Sequence, residues 1–221
     1  MGVISKIDAI NHILLMAGES LVNDLDTDSG LDTEVATFLL DRNILDFQMR
    51  GLASNTYVKK YNLTDGGVID LPSDTLSAEL VSVHTNNDGW KIKANARQDK
   101  DGNIRLYNLT DNNNLWDKTT DYYIELVYKL SWTEMDTPIQ RSIMANTARQ
   151  YQLVMQGDAD VDAYLAQAES LYMVKGKSAD IDDKNLSVFD SLPMKAREVF
   201  NRRSSNNDTT RFRYWRPKQN G

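Results

Sequence analysis

The chain has no cysteine, and that one absence removes disulfides, thiolate zinc sites and cysteine nucleophiles together. Stability must come from packing, and the composition agrees with assembly in a reducing compartment. Histidine is nearly as scarce. His12 and His84 stand far apart with no His-x-x-x-His spacing, so neither marks a zinc site, and both read as structural. Long apolar runs are also missing. Nothing approaches the roughly 20 consecutive apolar residues of a membrane span. The opening MGVISKIDAINHILLMAGES lacks the charged, apolar and cleavable order of a secretory leader. The expectation is a protein made and used in a cytoplasm, with no membrane partner.

Recognisable chemistry is absent as well. There is no phosphate-binding glycine loop, no Gly-x-Ser-x-Gly elbow and no kinase signature. Asp24, Asp26 and Asp28 imitate the opening of a calcium loop, but its sixth position holds Ser29 instead of glycine and its twelfth holds Val35 instead of glutamate. A polar loop before a helix explains them more simply. The sequence therefore predicts no catalytic residue, no metal and no cofactor.

What the chain does have is 221 residues with 41% hydrophobic content, enough for a real core, and a net charge of -7 that is unevenly spread. From Ser191 to Gly221 there are eight basic residues against two acidic ones, a net +6, while Met1 to Asp190 carries a net −13. An acidic body is a poor general binder of nucleic acid, since phosphate contacts need cations. Only the basic end has the composition for phosphate, or for an acidic protein groove.

Hydrophobic spacing divides the chain into helical ends around a strand-rich middle. Val3, Ile7, Ile10, Leu14 and Ala17 form one helical face closing at Gly18. Leu31, Val35, Phe38, Leu45, Met49 and Leu52 form a second stripe, expected to face the core, with Arg42 inside it and predicted to pair with a carboxylate or snorkel. From Tyr57 to Leu130 the runs YVKKYNL, LVSVHT, WKIKA, NIRLYNL and YYIELVYKL are separated by Asp-Gly turns, which predicts a small antiparallel β unit. Past Pro138 the helical pattern returns. Ile143, Thr147, Tyr151 and Val154 share one face; after a break at Gly157-Asp158 a second stripe runs Val161, Tyr164, Leu165, Ala168, Leu171 and Tyr172. Neither helix pair buries its stripe alone. The predicted fold class is thus α+β: a four-helix bundle of an N-terminal pair (1–56) and a C-terminal pair (134–178), an inserted antiparallel β domain (57–133), and an extended basic C-terminal arm (179–221).

Particular residues carry a resemblance beyond this pattern. AINHILLMAGESLVNDLD and DTEVATFLLDRNILDFQMRGLASNT, then VIDLPSD, then SWTEMDTPIQRSIMANTARQYQLVMQGDADVDAYLAQAE, stand in the order and spacing of the tail tubular protein A family, the adaptors of short-tailed bacteriophages. The similarity covers roughly residues 1 to 175. Ser20 and Leu52 depart from it, standing where the family often has proline and tryptophan. The resemblance implies a structural virion protein without enzymatic activity, placed at the head-tail junction of the tail and assembled in the host bacterial cytoplasm. It also implies a dodecameric ring of identical subunits joining the portal protein to a tail nozzle of the tail tubular protein B type, with genomic DNA passing through the channel without specific binding.

The basic end has a predicted role in that setting. Arg202, Arg203, Arg211, Phe212, Arg213, Tyr214, Trp215 and Arg216 interleave guanidinium groups with aromatic rings, as suits a segment that orders on docking to the portal or a neighbouring subunit. Contact with DNA and an inert solubilising end are the rival readings. A second functional class also stands open. Trp90, Trp116 and Trp132, if exposed on the β unit, would suit a tail protein that binds or cleaves host surface polysaccharide; the alternative is that they cap a core.

Overall fold

The computed structural model describes residues 4–25, 30–63, 67–84, 93–116 and 121–191. Two helices come first, α1 (Lys6–Met16) and α2 (Leu31–Gln48); five strands follow, β1 (Thr56–Asn62), β2 (Thr75–His84), β3 (Ala94–Gln98), β4 (Ile104–Asn108) and β5 (Asp121–Tyr128); and two longer helices close the order, α3 (Thr137–Met155) and α4 (Ala159–Ser191). The α+β class is as the sequence predicts.

Local chemistry sets the helix ends. Ser5 and Asp8 form a reciprocal capping box at the start of α1, with the Asp8 N–H donating to Ser5 Oγ at 3.1 Å. The helix ends at Gly18, whose φ of 76° places it in the left-handed region, and the Glu19 N–H reaches back to the Leu14 carbonyl at 2.9 Å. Pro138 sits in the first turn of α3, where its missing N–H costs nothing. Asp158 caps α4 by accepting from the Asp160 and Val161 N–H groups at 2.9 and 3.1 Å. α4 continues through Ser191, past the position 178 where spacing alone ends the helix pair. Between Gly176 and Pro193 no residue breaks a helix, so loss of the apolar stripe does not stop it.

The helices share one core. Ile10, Ile13 and Leu14 of α1, Ala36, Leu40, Ile44 and Phe47 of α2, and Ile139, Ile143, Ala148 and Tyr151 of α3 are buried together. Each large side chain withdrawn this way contributes about 1.5–3 kcal/mol. α4 lies along the far side of α3, where Leu165 is buried and Gly176 permits close approach: a Cβ there would sit 2.3 Å from Ser142 Oγ. Arg149 of α3 binds both oxygens of Asp162, Nε to Oδ1 at 2.7 Å and Nη2 to Oδ2 at 3.2 Å, and reaches Glu169 at 2.9 Å.

The second helix turns its unexpected side inward. Of the six residues predicted to face the core, Leu31, Phe38 and Met49 are exposed, Val35 and Leu45 are half-buried, and only Leu52, just beyond α2, is buried. The buried face instead carries Thr33, Ala36, Leu40, Asn43, Ile44, Phe47 and Gln48. The physical reason is that its polar members find partners. Asn43 donates to Thr147 Oγ1 at 2.9 Å and to Gln150 Oε1 at 3.2 Å, so burying it carries no orphaned amide hydrogen. The other helices depart less: Ile143, Thr147 and Tyr151 are fully buried as predicted, whereas Val154, Tyr164 and Leu171 are exposed.

The strands form two antiparallel sheets, one of order β1-β5-β2 and one of β3-β4. The β3–β4 hairpin turns at Asp101-Gly102, where Gly102 adopts φ 87° and Asp99 accepts the Asp101 and Asn103 N–H groups at 2.9 Å each. Between the sheets lies a second core of Ile69, Leu71, Ala78, Leu106, Trp116, Tyr122, Ile124 and Leu126. Trp116 meets Tyr122 edge to face at 5.1 Å and donates its indole N–H to the Leu106 carbonyl at 3.0 Å.

Candidate interaction surfaces

The junction between helices and sheet is built from side-chain amides. Gln48, at the last turn of α2, donates to the Leu130 carbonyl at 3.1 Å and accepts the Leu130 N–H at 2.6 Å, pairing like one peptide of a strand with another. Asn55 donates to the carbonyls of Gln48 (3.1 Å) and Tyr128 (3.0 Å) and accepts the Leu52 N–H at 2.7 Å. Both side chains are fully buried. Asn11 repeats the device at the other end of the helical layer, pairing with both backbone groups of Val22 at 2.8 and 2.9 Å. Gln140 donates to the Trp132 carbonyl (2.7 Å), Gln152 to the Asp158 carbonyl (2.9 Å) and Gln156 to the Ala17 carbonyl. In each case a helix side chain holds a connecting segment in place.

Beside this junction, a cleft of about 190 Å³ opens between the end of α2, the start of α3 and the middle of α4. Phe47, Leu52, Ile139 and Met173 give it apolar walls, and Arg50, Lys177 and Asp180 stand among its lining residues. Asp180 accepts the Ala53 N–H at 2.6 Å. Burial raises the pKa of the nearby Asp136, with the negative charges of Asp183 and Asp180 adding to the effect. No histidine lines the cleft, its one hydroxyl, Ser142, lies against the Pro138 and Tyr172 carbonyls, and its size suits a side chain better than a metabolite.

Elsewhere the chemistry is equally quiet. Among the described residues, no group of three or more His, Asp or Glu is placed to hold a metal ion, and no helix is long and apolar enough to cross a membrane. His12 is half-buried on α1, and burial lowers its pKa. Arg42, inside the predicted stripe of α2, lies 4.0 Å from Asp46 with both side chains exposed, in keeping with the expected carboxylate pairing. Trp116 and Trp132 are buried, the latter donating to the Ile4 carbonyl at 2.8 Å, so neither offers a flat ring to a sugar. Trp90 lies outside the described residues, as do Asp26 and Asp28. So do all eight residues chosen for the docking arm: Arg202, Arg203, Arg211, Phe212, Arg213, Tyr214, Trp215 and Arg216.

The surfaces left over are apolar. Leu31 and Phe38 of α2 are 70% and 66% exposed, and Tyr164 and Val174 of α4 are 68% and 65% exposed. Sequence reading missed this because it placed Leu31, Phe38 and Tyr164 on core-facing stripes and left Val174 off any stripe. The family model described as Tube: Tail tubular protein matches residues 7–186. The chain belongs to the tail tubular protein family. It is a structural component of a phage tail. No curated protein matches the chain. The match begins in the first turn of α1 and ends within α4, so both described sheets, α2, α3 and most of α1 and α4 fall inside the tail tubular region and the basic end lies beyond it.

Proposed function

We propose that this tail tubular protein is a head-to-tail adaptor. Copies of it stand as a dodecameric ring at the head-tail junction, with the portal protein above and a nozzle of the tail tubular protein B type below, and the genome passes through the ring without specific binding. The ring assembles onto the portal in the host bacterial cytoplasm. The observation that carries this reading is the pairing of a tail tubular family match with a body whose apolar helix faces on α2 and α4 are uncovered. A part whose work is to be joined to others needs such faces.

Within that reading the four helices act as one bundle of N-terminal (1–56) and C-terminal (134–178) pairs, residues 57–133 act as an inserted β domain, and of the expected arm 179–221 only the part beyond α4 is left to act as one. The acidic body suits a DNA conduit because negative walls do not grip phosphate. The arm, with Arg211, Phe212, Arg213, Tyr214, Trp215 and Arg216 at its end, docks on the portal or on the neighbouring subunit and gains strength from repetition around the ring. Burial of Trp116 and Trp132 removes two of the three tryptophans behind the polysaccharide reading; the third, Trp90, lies outside the described residues.

Co-sedimentation with the cognate portal ring tests the proposal, comparing the full chain with one ending at Asp190. Twelve copies of the full chain per portal, with weaker capture of the shortened chain, is the expected result. A folded full chain that does not bind the portal overturns the adaptor reading; full capture of the shortened chain overturns the arm.

A further inference from the structure

α2 has two apolar faces, and the fold uses one. On the unused side, Leu31, Phe38, Leu45 and Met49 fall in an arc of about 40° on an ideal helix, with Arg42 beside them and Val35 at the margin, where it is half-buried against the core. α4 has a similar unused side. Tyr164, Leu171, Val174 and Ile181 are all more than half exposed, on the face opposite the buried Leu165 and Gly176. Their spacing, 164 to 171 and 174 to 181, is that of the two seam positions of a heptad. Within one protomer these stripes do not meet, because α2 gives its other face to α1 and α3 and α4 gives its other face to α3.

We propose that the α2 stripe of one copy packs against the α4 stripe of the next, so that this head-to-tail contact is the repeating joint between subunits. The inference rests on the ring reading above and names the surfaces that make it. Three arguments favour a second copy as the occupant. The first is area. The exposed parts of these side chains amount to about 600 Å² of apolar surface over the two stripes. At the usual apolar share of an interface, that corresponds to a total of roughly 1,000 Å², the threshold for a specific contact. The second is supply: each copy carries both matching faces in equal number, and two different faces on one molecule generate rings. The third is charge. Pairing α2 with itself antiparallel would bring two Arg42 side chains within about a turn of each other, whereas along α4, among the described residues, the exposed acids Asp160 and Asp182, near the stripe, and Asp183 outnumber the exposed Lys175 and Lys177.

The test uses the full chain, Phe38→Asp, Leu171→Asp and a 1:1 mixture of the two variants, each followed by sedimentation velocity and native mass measurement. The wild type is expected to assemble beyond a dimer, and each variant alone to stay monomeric, with association weakened roughly thirtyfold or more. The mixture is expected to give a dimer and nothing larger. Only one intact pair of faces remains in it, the α4 stripe of Phe38→Asp with the α2 stripe of Leu171→Asp. Formation of that dimer also shows that both variants are folded. Assembly of wild-type size from either variant overturns the joint and leaves the ring reading standing. So does a mixture that stays monomeric while Phe38→Ser and Leu171→Ser, which melt like the wild type, assemble normally. A wild type that remains monomeric to about 1 mM also overturns the joint, and portal stoichiometry then decides the ring reading separately.

Discussion

The β module and the helical body solve the burial problem in opposite ways. Along β5, Tyr122, Ile124 and Leu126 point into the core while Tyr123 and Glu125 face outward, and the module's buried residues are mostly apolar, with Trp116 and Asn108 satisfied within it and Thr75 the polar exception. The helical body buries Asn43, Gln48, Gln140, Thr147 and Gln152 and leaves Leu31, Phe38, Tyr164 and Val174 outside. A module that keeps most of its apolar groups inside, Leu115 being the main exposed exception among its described residues, is nearly finished by itself. A body with apolar stripes outside and amides within has spent its hydrogen bonds on internal geometry and kept its hydrophobic surface for association.

That contrast can be broken at several points. The largest effect is expected at the junction. Gln48→Leu keeps the volume of the side chain but leaves the N–H and C=O of Leu130 without partners, and should cost about 2–5 kcal/mol in urea denaturation. An equal stability for this variant would show that the amide is incidental. Next is the α3–α4 contact: Gly176→Ala drives a methyl group into Ser142, whose single O–H is shared between the carbonyls of Pro138 (2.9 Å) and Tyr172 (2.7 Å). The net loss should be about 1–2 kcal/mol after the better helix propensity of alanine, partly restored by Ser142→Ala.

A smaller effect, sharper in its pH dependence, belongs to Arg149. Its hydrogen bonds and charge hold the Asp162 carboxyl below its ordinary range. A carboxylate depressed in the folded state stabilises above the unfolded value of about 3.9 and loses that contribution as the pH falls through the folded value. Arg149→Met should therefore melt earlier than the wild type at pH 7, and the gap should close as the pH drops below about 4. A gap constant from pH 7 to pH 3 would sink the assignment. The smallest effect on the monomer is expected on the outer face of α2, where Phe38→Ser should stay within about 0.5 kcal/mol of the wild type. A loss of several kcal/mol there would mean that the stripe belongs to the internal core after all.

Much of this molecule was legible in its residues. The first helix and its glycine stop, the order of helices and strands, the Asp-Gly turn of the β3–β4 hairpin and the break at Gly157-Asp158 all follow from local signals that tertiary packing had no reason to override. The orientation of α2 did not follow. Periodicity locates a stripe but carries no sign, and with apolar residues on both sides of the helix the decision fell to Asn43 and Gln48, whose partners Thr147 and Leu130 lie about a hundred residues away. The interaction surface was misread for the same reason: Phe38 and Tyr164 look like core residues to any rule that assumes a subunit is complete alone. The junction amides left a weaker trace still, because a buried glutamine and an exposed one are identical in sequence.

The way Gln48 and Asn55 hold the sheet to the helices has a consequence for how the particle ages. Neither group takes up or releases a proton in the range a virion meets, so acid or alkali does not loosen this joint. Hydrolysis of one of the amides would. Loss of ammonia from the Asn55 side chain would leave a carboxylate facing the carbonyls of Gln48 and Tyr128, two acceptors where a donor had been, and the hinge between helical body and β module would come apart from within.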